Sequence, residues 1–320
     1  MQSLADVFSK WSLLRERIDT VLLGQEKVKE QVLACLLAGG HALLEGVPGT
    51  GKTLLALVLA RLLSCRFRRI QFTPDLMPAD LLGTNVLNPK TQEFDFHAGP
   101  IFADLLLADE VNRTPPRTQA ALLESMQEAA ATIDGVRYKI SPAYTVLATQ
   151  NPVEFEGTYP LPEAQRDRFL LKIHIDYPEP ADEARMLAAY AAGTRLHDDA
   201  VAALEPVMTR DELVASRQTV ARSVRVETGI QDYILRIVSA TRKDDSVQIG
   251  AGPRASLALL EVSRARAALV ERDFVTPDDV KEVARAVLVH RITLSPEAEM
   301  EGLVLDDLLR RIFETVEVPR

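Results

Sequence analysis

The chain has 320 residues and a net charge of −9 at pH 7, with 47% hydrophobic and 26% charged residues. These proportions are typical of a folded globular protein, and the length allows two domains of ordinary size. The acidic balance argues against a protein that binds nucleic acid through general electrostatic attraction.

Cysteine usage and apolar run length bear on the compartment. Cys35 and Cys65 stand singly in apolar stretches, which favours packed thiols over a disulfide or a metal site. The longest apolar run, residues 54–60, is far shorter than the roughly 18 residues that a membrane span needs, and no leader pattern is present. We therefore expect a soluble, cytoplasmic protein with no direct membrane insertion.

The first segment of the chain predicts a helix. Its apolar residues recur at helical spacing, at Leu4, Phe8, Trp11, Leu14 and Ile18. Ser3 and Asp6 fit a capping box at its start, and we expect Trp11 to pack the helix on the core rather than to stack on a base. A turn at Gly24-Gln25 then precedes a second helical stretch. The sequence leaves open whether this turn lines an adenine pocket or only joins two helices.

A phosphate-binding loop follows the next predicted strand. The pattern Gly-x-x-x-x-Gly-Lys-Ser/Thr is matched by Gly46, Val47, Pro48, Gly49, Thr50, Gly51, Lys52 and Thr53. Glycines let backbone amides curl around phosphates, Lys52 offers a charge to the outer phosphates, and the Thr53 hydroxyl suits a Mg²⁺ ligand. Leu54 opens the helix that follows and completes the predicted site. The segment therefore predicts binding of a nucleoside triphosphate with Mg²⁺.

A strand predicted at residues 69–72 is followed by about 25 irregular residues rich in proline and glycine. Phe94 and Phe96 alternate with polar residues there, as in one arm of a hairpin. So long an irregular stretch usually serves a function. The alternative, that both aromatic residues simply pack on the domain, stays open.

Two adjacent carboxylates end the next predicted strand, residues 105–108. Nucleotide sites lie at strand ends in open α/β sheets. At such a place Asp109 can hold Mg²⁺, usually through water, and Glu110 can polarise the water that attacks the γ-phosphate.

Further signals follow along the chain. Asp134-Gly135 stands at the turn of a predicted hairpin, and the strand at residues 144–148 leads to Asn151. The Asn151 amide is placed to orient the attacking water, with an ordinary Asn-Pro turn as the alternative. Arg166 or Arg168 can supply positive charge to the transition state, either in its own subunit or in a neighbouring one, which would require a ring.

The remainder of the chain, residues 181–320, predicts an all-helical domain after a break at residues 177–180. Capping boxes are present at two helix starts, formed by Thr209 with Glu212 and by Thr276 with Asp279. Arg254 follows Gly252-Pro253 at another helix start; a solvent-facing side chain is its default, and a buried or nucleotide-facing one is the alternative. The order of elements predicts a parallel α/β sheet followed by a helical domain.

Four of these segments together resemble the MoxR group of AAA+ ATPases, relatives of the magnesium-chelatase ATPase subunit. They are GVPGTGKT at 46–53, LLLADEVNRTPPRTQAALLESMQE at 105–128, ATQNPVEFEGTYPLPEAQRDRF at 148–169 and GPRA at 252–255. The resemblance implies a P-loop AAA+ core over residues 1–180, with a parallel five-stranded sheet, an N-terminal helix, a helix-2 insert around Phe94 and Phe96, and a pre-sensor 1 hairpin at Asp134-Gly135. The resemblance also implies that residues 181–320 form an all-helical lid domain.

The resemblance also implies roles for single residues. Asn151 is similar to sensor 1, Arg168 to an arginine finger acting in trans, and Arg254 to sensor 2, while Gly24-Gln25 matches the family's turn beside the adenine. Arg166 departs from the family pattern, because an apolar residue is more usual there, so that a second arginine can share the finger role.

The function implied by the resemblance is chaperone-like remodelling or maturation of client protein complexes, driven by hydrolysis of ATP with Mg²⁺. It also implies a homo-oligomeric, hexameric ring with both hairpins facing the pore, and a partner protein carrying a von Willebrand factor A domain. Two alternatives stay open: a nucleic-acid-dependent motor, to which Arg137 and Lys139 point, and a nucleotide-gated scaffold with slow hydrolysis. The acidic charge disfavours nucleic acid.

Overall fold

The computed structural model describes residues 2–151, 157–193 and 198–319. Its strands are β1 (Ala42–Gly46), β2 (Phe67–Gln71), β3 (Gly83–Leu87), β4 (Phe94–Ala98), β5 (Leu105–Asp109), β6 (Ala130–Ile133), β7 (Val136–Lys139), β8 (Thr145–Gln150), β9 (Leu171–Ile175), β10 (Val247–Ile249) and β11 (Thr293–Leu294). Its helices are α1 (Leu4–Asp19), α2 (Glu26–Ala38), α3 (Lys52–Leu62), α4 (Pro78–Leu82), α5 (Pro116–Glu128), α6 (Glu163–Arg166), α7 (Pro180–Ala191), α8 (Asp198–Ala202), α9 (Arg210–Ser223), α10 (Thr228–Lys243), α11 (Pro253–Leu269), α12 (Pro277–Leu288), α13 (Pro296–Met300) and α14 (Leu305–Thr315).

The central sheet has five parallel strands in the order β2-β5-β8-β1-β9. This confirms the predicted parallel five-stranded sheet. In the register, Leu43 and Ala108 both pair with Ala148, and Gln71 pairs with Asp109. Since all five strands run in one direction, the segments that follow β1, β5 and β8 leave the sheet at the same edge.

Helix α1 packs against the core as predicted. Trp11 is 1% exposed, and Ser3 and Asp6 form the capping box. The larger apolar cluster combines side chains from α1, α2 and α3 with side chains from α9 to α12 and from α14. The N-terminal helix therefore shares a core with the C-terminal helices, and the division into residues 1–180 and 181–320 stays a prediction.

The irregular stretch contains the short helix α4 and the antiparallel hairpin β3–β4. Phe94 on β4 is 70% exposed, whereas the ring of Phe96 stacks on Tyr138 of the second hairpin at 4.1 Å. In that hairpin, β6–β7, Asp134 and Gly135 have φ of 48° and 80°, as a two-residue turn with positive φ at both positions requires. Phe96 therefore packs on the domain, whereas Phe94 is largely exposed to solvent.

The C-terminal segment is helical except for one detail. Strands β10 and β11 pair antiparallel, which corrects the prediction of an all-helical segment. Both are only two or three residues long and lie far apart in sequence, so that neither carries a periodic signal of its own. Within the described residues, the helices are all too short or too polar to span a membrane.

Candidate nucleotide-binding site

The phosphate loop connects β1 to α3 in the predicted manner. Strand β1 ends at Gly46, and Lys52 is the first residue of α3. Gly49 and Gly51 have φ of 84° and 82°, a left-handed backbone that glycine adopts without strain. Lys52 Nζ donates to the carbonyls of Gly46 at 2.9 Å and Val47 at 2.8 Å, so that the ammonium lies against the loop itself.

The electrostatic environment of Lys52 is set by two opposing effects. Partial burial lowers the pKa of the ammonium, while the nearby carboxylates of Asp109 and Glu110 act to raise it. The carboxylates therefore help to keep the cation charged at the place where phosphates are expected.

The loop, the carboxylate pair and the end of β8 enclose one cavity of about 360 Å³, which we call the nucleotide cavity. Its lining includes the predicted residues Gly46, Pro48, Gly49, Thr50, Gly51, Lys52, Thr53, Leu54, Asp109, Glu110 and Asn151, together with Arg69, Gln71, Thr149 and Gln150. Val47 contributes its carbonyl to Lys52 without lining the cavity. The structure therefore brings Asp109 and Glu110 to the same cavity as Lys52 and Thr53.

Asp109 has a partner on each carboxylate oxygen. The Thr149 hydroxyl donates to Oδ1 at 2.6 Å, and Arg69 Nη2 donates to Oδ2 at 2.7 Å. The same Thr149 hydroxyl oxygen accepts the backbone N–H of Glu110 at 2.8 Å. One threonine of β8 thus fixes both residues of the carboxylate pair.

Glu110 lies just beyond β5 with a φ of 58°, a left-handed backbone that is uncommon outside glycine. Its Oε2 accepts from Gln71 Nε2 at 2.7 Å and lies 3.2 Å from Arg113 Nε. The carboxylate is therefore held by one polar partner from β2 and one from the turn that follows β5.

Arg69, Gln71 and Thr149 are site residues that the sequence interpretation missed. It treated the segment containing Arg69 and Gln71 only as a strand. Their two-residue spacing places both side chains on one face of β2, and pairing with β5 brings them beside Asp109 and Glu110. Only the strand order reveals this proximity.

Asn151 is 7% exposed and lines the nucleotide cavity directly after β8. Its backbone carbonyl accepts from Asn112 Nδ2 at 3.4 Å. The next residue of the alternative Asn-Pro turn, Pro152, lies outside the described residues. Asn151 therefore lies beside the phosphate loop, at the strand end where the sequence predicts a residue that faces the nucleotide.

A second, largely apolar cavity of about 360 Å³ lies on the other side of the phosphate loop, and we call it the base cavity. Its lining residues are Val21, Leu22, Leu23, Gln25, Gly49, Thr50, Gly51, Leu54, Pro178, Glu183, Met186, Leu187 and Tyr190. Gln25 Nε2 donates to the Thr50 carbonyl at 3.0 Å, and Gly24 immediately precedes it. The Gly24-Gln25 turn therefore borders a cavity and does more than join two helices.

Arg168 and Arg254 lie elsewhere. Neither lines the nucleotide cavity; both line a third cavity of about 290 Å³, which we call the arginine cavity. Arg168 Nη1 donates to the Leu123 carbonyl at 2.8 Å, and Arg254 Nη1 lies 3.4 Å from Asp167 Oδ2. The neighbouring Arg166 lies 3.8 Å from Glu163. Arg254 therefore lines a different cavity from the phosphate loop, and its predicted contact with the nucleotide stays a prediction.

The oxygen donors of the nucleotide cavity fit Mg²⁺. The Thr53 hydroxyl and the Asp109 carboxylate are hard ligands beside the phosphate loop. No group of three or more His, Cys, Asp or Glu residues suited to a metal occurs in the described part of the chain. A nucleotide-bound Mg²⁺ does not require one, since phosphates and water supply most of its ligands.

Comparisons with known proteins agree with this geometry. Residues 41–171 match the ATPase family associated with various cellular activities (AAA), and residues 239–312 match the AAA lid domain. A crystal structure of a protein from Cytophaga hutchinsonii superposes with a TM-score of 0.90 at 37% identity, covering 99% of this chain and 97% of that one. The fold and the lid are therefore shared over nearly the whole length.

Two relatives are similar over most of their sequence. The YeaC protein of Bacillus subtilis is 44% identical over 304 residues, 95% of this chain and 93% of that protein. Chaperone MoxR1 of Mycobacterium tuberculosis is 40% identical over 312 residues, 95% of this chain and 81% of that protein. With a complete phosphate loop beside a carboxylate pair, this chain is a P-loop ATPase that belongs to the MoxR family of AAA+ ATPases.

Proposed function

We propose that this ATPase hydrolyses Mg²⁺-bound ATP to drive chaperone-like remodelling of client protein complexes as a ring. The observation that carries the catalytic part is the convergence of Lys52, Thr53, Asp109, Glu110 and Asn151 on one cavity. A phosphate cradle, an oxygen site for a metal and a carboxylate beside the position of the γ-phosphate are the parts that phosphoryl transfer to water needs.

In this proposal each group has a separate task. Lys52 neutralises the outer phosphates, and Thr53 and Asp109 hold Mg²⁺, which neutralises charge on the phosphate oxygens when bound. Glu110 accepts a proton from the attacking water, and the Asn151 amide orients that water. The contact of Gln71 with Glu110 Oε2 holds the carboxylate beside the cavity and leaves Oε1 to accept the proton.

We infer a ring because Arg168 and Arg254 both lie outside the nucleotide cavity of their own chain. Transition-state charge calls for an arginine, and neither Arg168 nor Arg254 lines the cavity of its own chain. Arg69 does line that cavity, but its guanidinium is paired with Asp109 at 2.7 Å. We infer that the arginine cavity faces the nucleotide of the next subunit, so that each site is completed in trans. A closed head-to-tail ring, hexameric as in the resembling family, meets this need.

Two observations support protein complexes as clients. One is the likeness to a relative named as a chaperone, and the other is the exposed surface of the two hairpins. Hairpin β3–β4 exposes Phe94 and Leu87, an apolar pair next to its turn that is suited to contact polypeptide. A partner with a von Willebrand factor A domain and a cytoplasmic location remain predictions. On the nucleic-acid alternative, Arg137 is paired with Glu128 at 3.0 Å, which offsets its charge and does not favour that function.

The catalytic proposal is tested by Glu110→Gln, which keeps the size of the side chain and removes its basicity. We expect ATP binding and ATP-dependent assembly to persist, measured by a fluorescent nucleotide and by native mass spectrometry, while phosphate release stops. Normal turnover by this variant would exclude Glu110 as the base. Turnover measured with and without a client separates a remodelling ATPase from a nucleotide-gated scaffold.

The trans arrangement is tested by mixing two inactive variants. Lys52→Ala lacks a working phosphate site and keeps Arg168, whereas Arg168→Ala keeps the phosphate site and lacks the arginine. We expect mixed assemblies to hydrolyse ATP faster than either parent, since each supplies what the other lacks. If mixtures stay as inactive as the parents, the trans role of Arg168 is wrong.

A further inference from the structure

The segment that carries Arg168 is held from outside the α/β sheet. Residues 167–170, which we call the finger segment, connect α6 to β9. Two residues just after α12, His290 and Arg291, contact the finger segment, although they lie more than a hundred residues later in sequence. Neither residue stands out in the sequence as part of a nucleotide site.

Arg291 makes most of these contacts. Its Nε donates to Asp167 Oδ1 at 2.8 Å, its Nη2 donates to the Phe169 carbonyl at 2.7 Å, and its Nη1 donates to the Leu170 carbonyl at 3.1 Å. The Arg291 side chain is only 4% exposed. One planar guanidinium therefore binds the residues on both sides of Arg168 and fixes their relative orientation.

His290 adds a neutral contact beside the charged one. Its Nε2 lies 2.9 Å from the Phe169 carbonyl, so that Nε2–H donates and Nδ1 is left without a proton. Burial and the neighbouring Arg291 cation hold the pKa of His290 well below its usual range. The donor arrangement therefore does not change across the physiological pH range.

Asp167 links this contact to the arginine cavity. Its Oδ1 binds Arg291 and its Oδ2 lies 3.4 Å from Arg254 Nη1. Asp167 is thus shared by two arginines of the C-terminal segment, one on α11 and one just after α12, and stands directly before Arg168. A nearly buried arginine paired with Asp167 is costly to leave unpaired, so this contact strongly favours a single arrangement of the segment.

We propose that Arg291, acting through Asp167 and the carbonyls of the finger segment, is a positioning residue that sets Arg168 for the neighbouring subunit's site, with His290 supporting the same segment. This proposal rests on the trans role of Arg168 proposed above. In this proposal the end of α12 connects the C-terminal helices to hydrolysis in the neighbouring subunit. A displacement of about 1 Å at a catalytic group can cost ~100-fold in rate.

The experiment uses Arg291→Ala in the full-length chain. We expect kcat to fall at least about tenfold while the Kd for ATP and the ATP-dependent assembly stay at wild-type values, because the nucleotide cavity does not include Arg291. The matched control is Arg285→Ala on α12, which removes an exposed ion pair with Asp306 and leaves the finger segment untouched. We expect that control to keep wild-type kcat.

Mixing then separates a positioning defect from a damaged site. Arg291→Ala subunits keep their own phosphate site, so a Lys52→Ala neighbour with an intact finger segment should restore hydrolysis to them. In a randomly mixed ring of equal parts, half of the subunits can hydrolyse and half of those have an intact donor, which predicts about a quarter of wild-type activity. A defect inside the Arg291→Ala subunit's own site would show no such restoration.

Two further variants keep the test decisive if Arg291→Ala unfolds. Arg291→Lys keeps the charge and loses the planar fork, and Asp167→Asn keeps the size of the carboxylate partner and loses its charge. Each is expected to repeat the fall in kcat and the restoration by Lys52→Ala. Thermal unfolding confirms that the variants tested are folded.

The outcomes for the two proposals are distinct. If Arg168→Ala is restored by Lys52→Ala and the folded Arg291 and Asp167 variants are not, the positioning role is wrong and the trans finger stands. If Arg168→Ala is not restored either, the trans finger fails and the positioning role fails with it. Wild-type kcat in folded Arg291→Ala would overturn the positioning role alone.

Discussion

Arg69 Nη2 lies 2.7 Å from Asp109 Oδ2, at the place where the proposed metal would share that carboxylate. The guanidinium comes from β2 and the carboxylate from the end of β5, which are adjacent strands of the sheet. The Asp109 side chain is mostly buried and the Arg69 side chain is about half exposed. Arg69 is therefore a partly exposed cation beside a buried carboxylate, and it would compete with the proposed metal for Asp109.

This competition predicts the magnesium dependence of Arg69→Ala. Removing the guanidinium frees Asp109 Oδ2 and removes a like charge beside the metal position. The Mg²⁺ concentration for half-maximal hydrolysis should therefore fall several-fold, which corresponds to roughly 1 kcal/mol of binding free energy. The measurement is an ATPase titration with Mg²⁺ at constant ATP. The control is Arg68→Ala, an exposed neighbour on the same strand. An unchanged or higher Mg²⁺ requirement would show that Arg69 does not compete with the metal.

The base cavity makes a prediction about Leu187. This side chain is 69% exposed, lines the base cavity and belongs to α7, which has no buried residue. The variant Leu187→Asp should bind ATP about tenfold more weakly, equivalent to ~1.4 kcal/mol, because it places a charge against an apolar base. Stability should stay near wild type, since the side chain is exposed.

The matched control for Leu187→Asp is Ala188→Asp, an exposed neighbour on α7 that does not line the base cavity. Isothermal titration with ATP gives both dissociation constants. Equal values for the two variants would mean that the base binds elsewhere.

The two hairpins predict a measurable coupling between Phe96 and Tyr138. Their rings stack at 4.1 Å with an interplanar angle of 24°, and Asn85 Nδ2 also donates to Asp134 Oδ2 at 2.7 Å between the same hairpins. A double-mutant cycle of the alanine variants should give a coupling free energy of about 1 kcal/mol in unfolding experiments. The same cycle with Phe94, which is exposed, should give a value near zero. Similar values for both pairs would contradict direct stacking.

His41 predicts a loss of stability at mildly acidic pH. Its Nδ1 accepts the Val146 N–H at 2.9 Å, its Nε2 lies 3.1 Å from the Met126 carbonyl, and burial lowers its pKa to about 4. The unfolded chain, with an ordinary histidine pKa of about 6.5, binds more protons between these values, so the free energy of unfolding decreases as pH falls from about 6.5 to about 4.

The variant His41→Gln removes this titration and keeps one donor and one acceptor. We expect its melting temperature to fall less than that of the wild type between about pH 7.5 and about pH 5. His97→Gln, on the exposed strand β4, is the control and should follow the wild type. Parallel curves for wild type and His41→Gln would show that His41 does not contribute.

Several features were predictable because their information is local in the chain. The phosphate loop depends on eight consecutive residues, and the hairpin turn depends on Asp134-Gly135. The capping boxes of Thr209 with Glu212 and of Thr276 with Asp279 form as their three-residue spacing indicates. In each case the backbone conformation follows from residues that are already neighbours.

The sequence by itself determined the phosphate loop, the carboxylate pair at a strand end and the succession of an α/β segment and helices, because short-range spacing and apolar periodicity encode them. Only the tertiary structure decided that Arg69 reaches Asp109, that Arg254 lies away from the nucleotide cavity of its own chain, and that Arg291 holds Asp167. These contacts join segments about 40 to 125 residues apart. Their physical basis is the order of strands in the sheet and the packing of the C-terminal helices, which no local pattern specifies.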